Sequence, residues 1–336
     1  MKEEFPQSKA KGEIGSVAFG GCVWLAMWAA PAHGEVGLGT IERMFLFAPL
    51  VLVPMALALA ERADTSHTER ALFGASQKAQ PFAAVLVAVS FLIPPGTIAA
   101  LLALPWMLLT LLVAVCGWMR VAHDKLSDAA HSCFNAALLL LPVGGIGLIQ
   151  SRFGSTPLGF HEPWVLLVAV HFHYAAFLAP ILVGALGQTR TPSPAFTATA
   201  TGIIAGSPLM AAGFVIHVPW LRAVAAFVLG ASLVAYSLLV FQTLPSIRSG
   251  LAKAFLIASA GSIVIGMWFA IVFTLGDLTG RDWISIPQMA RTHGFLNGFG
   301  FSLCGLIGWN LAGRKQDFRT VGGTTRRPQT LLSRWE

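Results

Sequence analysis

The sequence predicts an all-α polytopic integral membrane helical bundle with about ten transmembrane helices and both termini cytoplasmic. Three observations lead there. Of 336 residues, 55% are hydrophobic and only 11% charged, against roughly a quarter charged in an average soluble domain. The mean hydropathy is +0.71. Lysine and arginine gather between the apolar runs on one side of the implied topology. A surface this apolar cannot be wetted, so lipid is its natural solvent. At roughly 20 apolar residues per span, the length accommodates the spans and leaves no sizeable soluble domain. The chain divides into a cytoplasmic N-terminal tail (1–14), a single transmembrane domain (15–312) and a basic cytoplasmic C-terminal tail (313–336).

Apolar runs near 15–32, 41–61, 80–94, 97–120, 131–150, 163–187, 195–216, 219–243, 251–275 and 292–312 give the expected spans. The first follows lysines, and its Ala30-Pro31-Ala32 resembles a signal-peptidase site. Glu3, Glu4 and Glu13 are unusual for a signal and favour a retained span. Pro94-Pro95-Gly96 does not continue a helix comfortably and is expected to turn between the third and fourth runs. His217-Val218-Pro219 forms an equally short turn between the seventh and eighth.

Orientation follows from the positive-inside rule. With ten spans and the N-terminus inside, the inner side holds Lys2, Lys9, Lys11, Arg62, Arg70, Lys78, Arg120, Lys125, Arg190, Arg248, Lys253, Arg314, Lys315, Arg319, Arg326, Arg327 and Arg334. The outer side holds Arg43, Arg152, Arg222, Arg281 and Arg291. That is 17 against 5 of the 22 basic residues. The formal charge of +7 thus reads as a topology signal and a contact with the lipid bilayer, not as a nucleic-acid footprint. Trp28, Trp118, Trp164, Trp220, Trp283 and Trp309 fall near span ends, where amphipathic rings anchor. Cys22, Cys116, Cys133 and Cys304 lie in apolar runs without metal-ligand spacing and read as small hydrophobes. No phosphate-binding loop, dinucleotide fingerprint, nucleophile elbow or zincin motif is present.

Polar side chains inside spans carry the functional signal, because ionisable groups at that depth are costly. The sixth run contains His171-Phe172-His173-Tyr174. Residues two apart on a helix point about 200° apart, so the two imidazoles face different neighbours and do not chelate one ion. His171 shares a face with Tyr174. In the last run His293, Asn297, Gly300 and Cys304 follow helical spacing as one stripe. Glu42 and Arg43 open the second run, and Arg152 closes the fifth, all at the outer side. His131, with Asn135, starts the fifth run as an N-terminal helix partner.

These positions suggest an outward-facing intramembrane site for a small molecule or ion, lined by His171, His173, Tyr174, His293 and Asn297, with Glu42 and Arg152 at its mouth. Transport or binding is the leading expectation. The alternative is a redox protein in which His171 and His173 ligate haem or a transition metal, because neutral imidazole is a good ligand for both. The His171–Tyr174 string is similar to the haem-ligand motif of haem–copper oxidases. The rest of the chain departs from that family: the nearest copper-type string, His161-Glu162-Pro163-Trp164, sits at a span edge and lacks the pattern.

Over most of its length the sequence resembles the YndJ-like family of bacterial membrane proteins. The resemblance rests on Phe47-Ala48-Pro49-Leu50-Val51 with Val53-Pro54, and on Leu104-Pro105-Trp106. It continues through Ser151-Arg152-Phe153-Gly154 leading to Pro157-Leu158-Gly159-Phe160, Val170-His171-Phe172-His173-Tyr174-Ala175, and Thr292-His293-Gly294 with Asn297 and Gly300-Phe301. It implies a multi-pass protein of the bacterial plasma membrane and picks out the same His and Asn positions.

Overall fold

A computed structural model describes residues 7–29, 38–62, 64–124 and 128–313. The signal-like string at 30–32 and the basic tail beyond Gly313 lie outside them. The described residues form ten long helical segments and no strand. They are α1 (Gln7–Ala29), α2 (Thr40–Leu59), α3 (His67–Ser90), α4 (Thr97–Asp124), α5 (Ala129–Phe153), α6 (Trp164–Gly187), α7 (Pro194–Val215), α8 (Pro219–Thr243), α9 (Gly250–Thr279) and α10 (Ile286–Gly313). Eight of these, all but α1 and α3, are long and apolar enough to cross a membrane. The protein is therefore a multi-pass membrane protein. The all-α expectation holds, and the count supported by length and composition is eight.

The two shortfalls have physical causes. In α1 only Gly15–Ala29 is apolar. The third run, expected at 80–94, belongs to a helix that starts at His67 and ends at Ser90. Ser66 sets the start by accepting the Glu69 amide at 3.1 Å. Its first half therefore carries Glu69, Arg70 and Lys78. Residues 91–96 turn the chain, as Pro94-Pro95-Gly96 demands, and the Gly96 amide donates to the Arg152 carbonyl at 2.8 Å. Side-chain caps also open α5, α7, α9 and α10 through Asp128, Ser193, Ser249 and Ser285. Such acceptors satisfy first-turn amides that no carbonyl of the helix itself reaches.

Successive helices from α3 to α10 pack mostly as antiparallel neighbours; α2 lies against α6 and α10 to close the bundle, and α1 packs outside it on α2 and α3, with Trp24 and Trp28 against Phe299 and Phe295 of α10. The largest fully buried side chains, among them Trp106, Tyr236, Phe45, Phe134 and Phe177, mark the centre. Two ends can be distinguished. The Arg152 end holds the starts of α2, α4, α6, α8 and α10; the Arg120 end holds the starts of α3, α5, α7 and α9.

Three central helices widen locally into π turns: α2 over Ala48–Leu52, α6 over Tyr174–Leu178, and α10 over Ala290–Gly294 and Leu296–Leu303. These segments meet, and side chains take up backbone carbonyls around them. Gln80 donates to the Pro49 carbonyl at 2.5 Å, and Ser259 donates to that of Phe301 at 2.8 Å. Gly20 of α1 crosses against the Leu50 carbonyl so closely that a Cβ there would overlap it.

Aromatic placement corrects one expectation. Trp118, Trp220 and Trp283 are exposed as anchors should be. Trp309 is buried and donates its indole N–H to the Tyr236 hydroxyl at 3.1 Å, so it is a core residue. His131 pairs with Asp128 at 3.0 Å, one turn apart, as a helix-start partner.

Candidate functional site

The two histidines of α6 lead different lives. His173 is fully buried. Its Nδ1 donates to the Ala169 carbonyl at 2.7 Å, and its Nε2 accepts from the Trp106 indole N–H at 3.0 Å. Trp106 stacks on the ring with centroids 5.8 Å apart, and Phe45 meets it edge-on at 5.2 Å. This ring is a brace between α4, α2 and α6, with both nitrogens occupied.

His171 turns the other way. Its Nε2 is buried and has no hydrogen-bond partner, and it lies within electrostatic reach of His293 on α10. His293 donates from Nδ1 to the Gly266 carbonyl of α9 at 2.8 Å, and its Nε2 accepts from the Asn297 amide nitrogen at 2.8 Å. That orientation leaves the Asn297 Oδ1 buried without a donor. Tyr174, one turn below His171 on the same face, donates to the Met44 carbonyl of α2 at 2.7 Å. Gly298 makes the approach possible: a Cβ there would stand 2.6 Å from the Met44 methyl carbon.

The sequence-predicted set therefore divides. His171, Tyr174, His293 and Asn297 come together where α2, α6, α9 and α10 meet. His173 faces α4, away from them. Arg152, expected at the mouth of the site, locks the α3–α4 turn instead. Its guanidinium donates to the Ser90 and Ile93 carbonyls at 3.0 and 2.9 Å and lies 4.5 Å over the Phe91 ring. Glu42 is half-buried in the first turn of α2, within electrostatic reach of Arg152.

Two neighbours were not singled out by sequence as part of the site. Arg43 follows Glu42, and its guanidinium lies 4.9 Å from the Trp28 ring centre. Trp28 in turn packs against Phe295 of α10 at 6.1 Å. The Arg43 Nε and the Trp28 indole N–H are both buried without an acceptor. A tryptophan and an arginine at span ends read as interface anchors, and the ring contact of Trp28 with Phe295 falls on the face of α10 opposite His293 and Asn297.

The donor set fits a metal or haem poorly. Imidazole ligates through a lone pair, yet the Nε2 lone pairs of His173 and His293 already accept hydrogen bonds. No group of three or more His, Cys, Asp or Glu side chains placed to hold an ion occurs among the described residues. What the arrangement offers is hydrogen bonding, with an acceptor at Asn297 and an imidazole edge at His171.

The model of the YndJ-like protein family matches residues 43–301. The chain is also 26% identical over 279 residues to the uncharacterized membrane protein YndJ of Bacillus subtilis (strain 168), covering 83% of this chain and 50% of the relative. It thus spans about half the length of that curated relative. No solved structure matches it.

Proposed function

This chain belongs to the YndJ-like family of membrane proteins, and from the geometry of its own buried polar groups we propose that it binds and moves a small hydrogen-bonding molecule. The site lies between α2, α6, α9 and α10, with His171, His293 and Asn297 as its polar lining and Tyr174 as its floor. The observation that carries this reading is the pair of unsatisfied buried atoms, His171 Nε2 and Asn297 Oδ1, on two residues that both lie close to His293. A buried polar atom without a partner costs about 1–3 kcal/mol. A ligand presenting a donor to Asn297 and a partner to His171 removes that cost in the bound state only, which is the physical basis of affinity. The charge asymmetry of the loops orients the Arg152 end, where the site lies, outward.

Proteoliposomes carrying the protein test this. They are incubated with a defined metabolite mixture, and the internal solutes are identified by mass spectrometry. At least one solute accumulates with the wild-type chain and falls tenfold or more with His171→Ala and with Asn297→Ala. Solute profiles identical to protein-free vesicles would sink the proposal.

A further inference from the structure

The two faces of α3 differ in kind. Glu69, Ser76 and Gln80 are buried against the bundle, and each is hydrogen-bonded there. Ala71, Gly74, Ala75, Lys78, Ala79 and Phe82 fall on the opposite side, within about 140° of arc at 100° per residue. All of them are exposed except Gly74, which is half-buried. Ala71, Ala75 and Ala79 repeat every four residues, the spacing that lets helix backbones approach closely in lipid. A Cβ at Gly74 would meet nothing within 4 Å. Packing inside this chain therefore does not require a glycine there, although glycine is unfavourable in a helix interior.

Lys78 sits at the centre of this face. Read from sequence, it precedes the third apolar run and belongs to the inner side. In the fold it stands midway along the 24 residues of α3, which joins the inner end of α2 to the outer end of α4. Its depth can be read from a neighbour. Gln80 donates to the carbonyl of Pro49, at the middle of the 20-residue span α2. Lys78 is two residues from Gln80, hence about 3 Å from the level of that midpoint and about 12 Å from the inner end of α2, at about 1.5 Å per residue. Among the described residues it has no hydrogen-bond or ion-pair partner. A cation on the outside of the bundle at this depth is costly in lipid, and such groups face protein or water instead.

We propose that this face of α3 docks a transmembrane helix of another polypeptide, one that carries a carboxylate near the middle of its span. Charge selects that occupant. A carboxylate opposite Lys78 forms charge-assisted hydrogen bonds, whereas lipid tails offer no acceptor. A second copy docked through the same face about a two-fold axis sets equivalent residues against each other, so Lys78 would meet Lys78 and repel it. The small residues on either side admit the partner backbone, and Phe82, 67% exposed, packs beside it. The inference stands apart from the small-molecule site, which lies on other helices.

Fluorescence energy transfer in liposomes tests it. The labelled full chain is reconstituted with synthetic single-span helices of a Leu/Ala host sequence that carry one central Glu, Gln or Lys. The Glu helix associates with the wild-type chain, the Gln helix at least tenfold more weakly, and the Lys helix not at all. Lys78→Met, which keeps a long side chain and removes the charge, abolishes the difference between the Glu and Gln helices. Ala75→Ile, which adds bulk to the stripe, removes association of both. Both positions are exposed, and an unchanged melting temperature in detergent shows that the variants fold. Equal association of the Glu and Gln helices, or a Glu preference that survives Lys78→Met, overturns the proposal. Association of no helix leaves the face to lipid and overturns it as well. Transfer between differently labelled copies of the chain that is lost with Ala75→Ile assigns the face to a second copy and overturns the choice of partner.

Discussion

Replacing each histidine of α6 by phenylalanine should move stability in opposite directions. His173 satisfies two groups, the Trp106 indole N–H and the Ala169 carbonyl. His173→Phe leaves the indole N–H buried without an acceptor and withdraws a donor from the carbonyl. At about 1–3 kcal/mol per abandoned group, the loss is about 2–6 kcal/mol, with the Ala169 share smaller because helical carbonyls keep their backbone bond. His171→Phe abandons nothing, because its Nε2 has no partner in the ligand-free protein. It removes a buried unsatisfied atom and should stabilise the chain by up to about 1–3 kcal/mol. The assay is reversible unfolding of the detergent-solubilised protein by sodium dodecyl sulfate, followed by tryptophan fluorescence. In transport the order reverses: His171→Phe is inactive though stable. If His171→Phe proves as destabilising as His173→Phe, His171 has a structural partner and the site as described is wrong.

Three further outcomes follow from the packing. Glu69 and Arg120 form a buried ion pair at 2.9 Å, with side chains 3% and 2% exposed; Glu69→Gln or Arg120→Met alone should cost about 3–5 kcal/mol, and the double variant less than the sum, as measured by the same unfolding assay. Gly20→Ala should fail to pack α1 on α2, because the Leu50 backbone carbonyl cannot move aside as a side-chain tip would; limited proteolysis of membranes should cut the variant and spare the wild type. Asp64 is held at about 2 by its hydrogen bond and charge contact with Arg62, below its ordinary 3.8. A carboxyl lowered by folding adds stability above its unfolded value and loses it as pH falls through the folded one. Asp64→Asn should therefore flatten the decline of melting temperature between pH 4 and pH 2, by a small amount because the carboxylate is largely solvated.

Much of the fold was legible because lipid imposes one rule, that backbone polar groups be satisfied within the chain. Apolar runs bounded by Ser66, Asp128, Ser193, Ser249 and Ser285 then have to be helices. The run at 80–94 is misplaced because hydropathy reports only the apolar half of a helix whose first half carries Glu69, Arg70 and Lys78. Glu69, buried against Arg120, looks in sequence like a loop charge. In the site, the 200° separation of His171 and His173 was readable from spacing alone, and so was the stripe of His293 and Asn297. The choice between them was not. Whether an imidazole is engaged depends on Trp106, 67 residues away. Arg152 misled for the same reason, since its partners are carbonyls of a turn, and carbonyls leave no trace in side-chain pattern.

The π turns connect these observations. A π turn lengthens the local repeat from i→i+4 to i→i+5, which rotates the following side chains and changes which carbonyls stay bonded within the helix. In α6 the widening begins at Tyr174, immediately after His173, and in α10 it brackets His293 and Asn297. Near both, polar side chains reach main-chain groups of a neighbouring helix: Tyr174 to Met44, His293 to Gly266 and Ser259 to Phe301. Such cross-helix bonds secure the bundle while leaving short segments whose internal ladder is already broken. A helix shifts by a residue more easily there than along a regular stretch. If the proposed substrate moves through this bundle, α2, α6 and α10 are the helices built to let it pass: the unpaired atom of His171 lies just before the π turn of α6, and that of Asn297 lies within the π turn of α10.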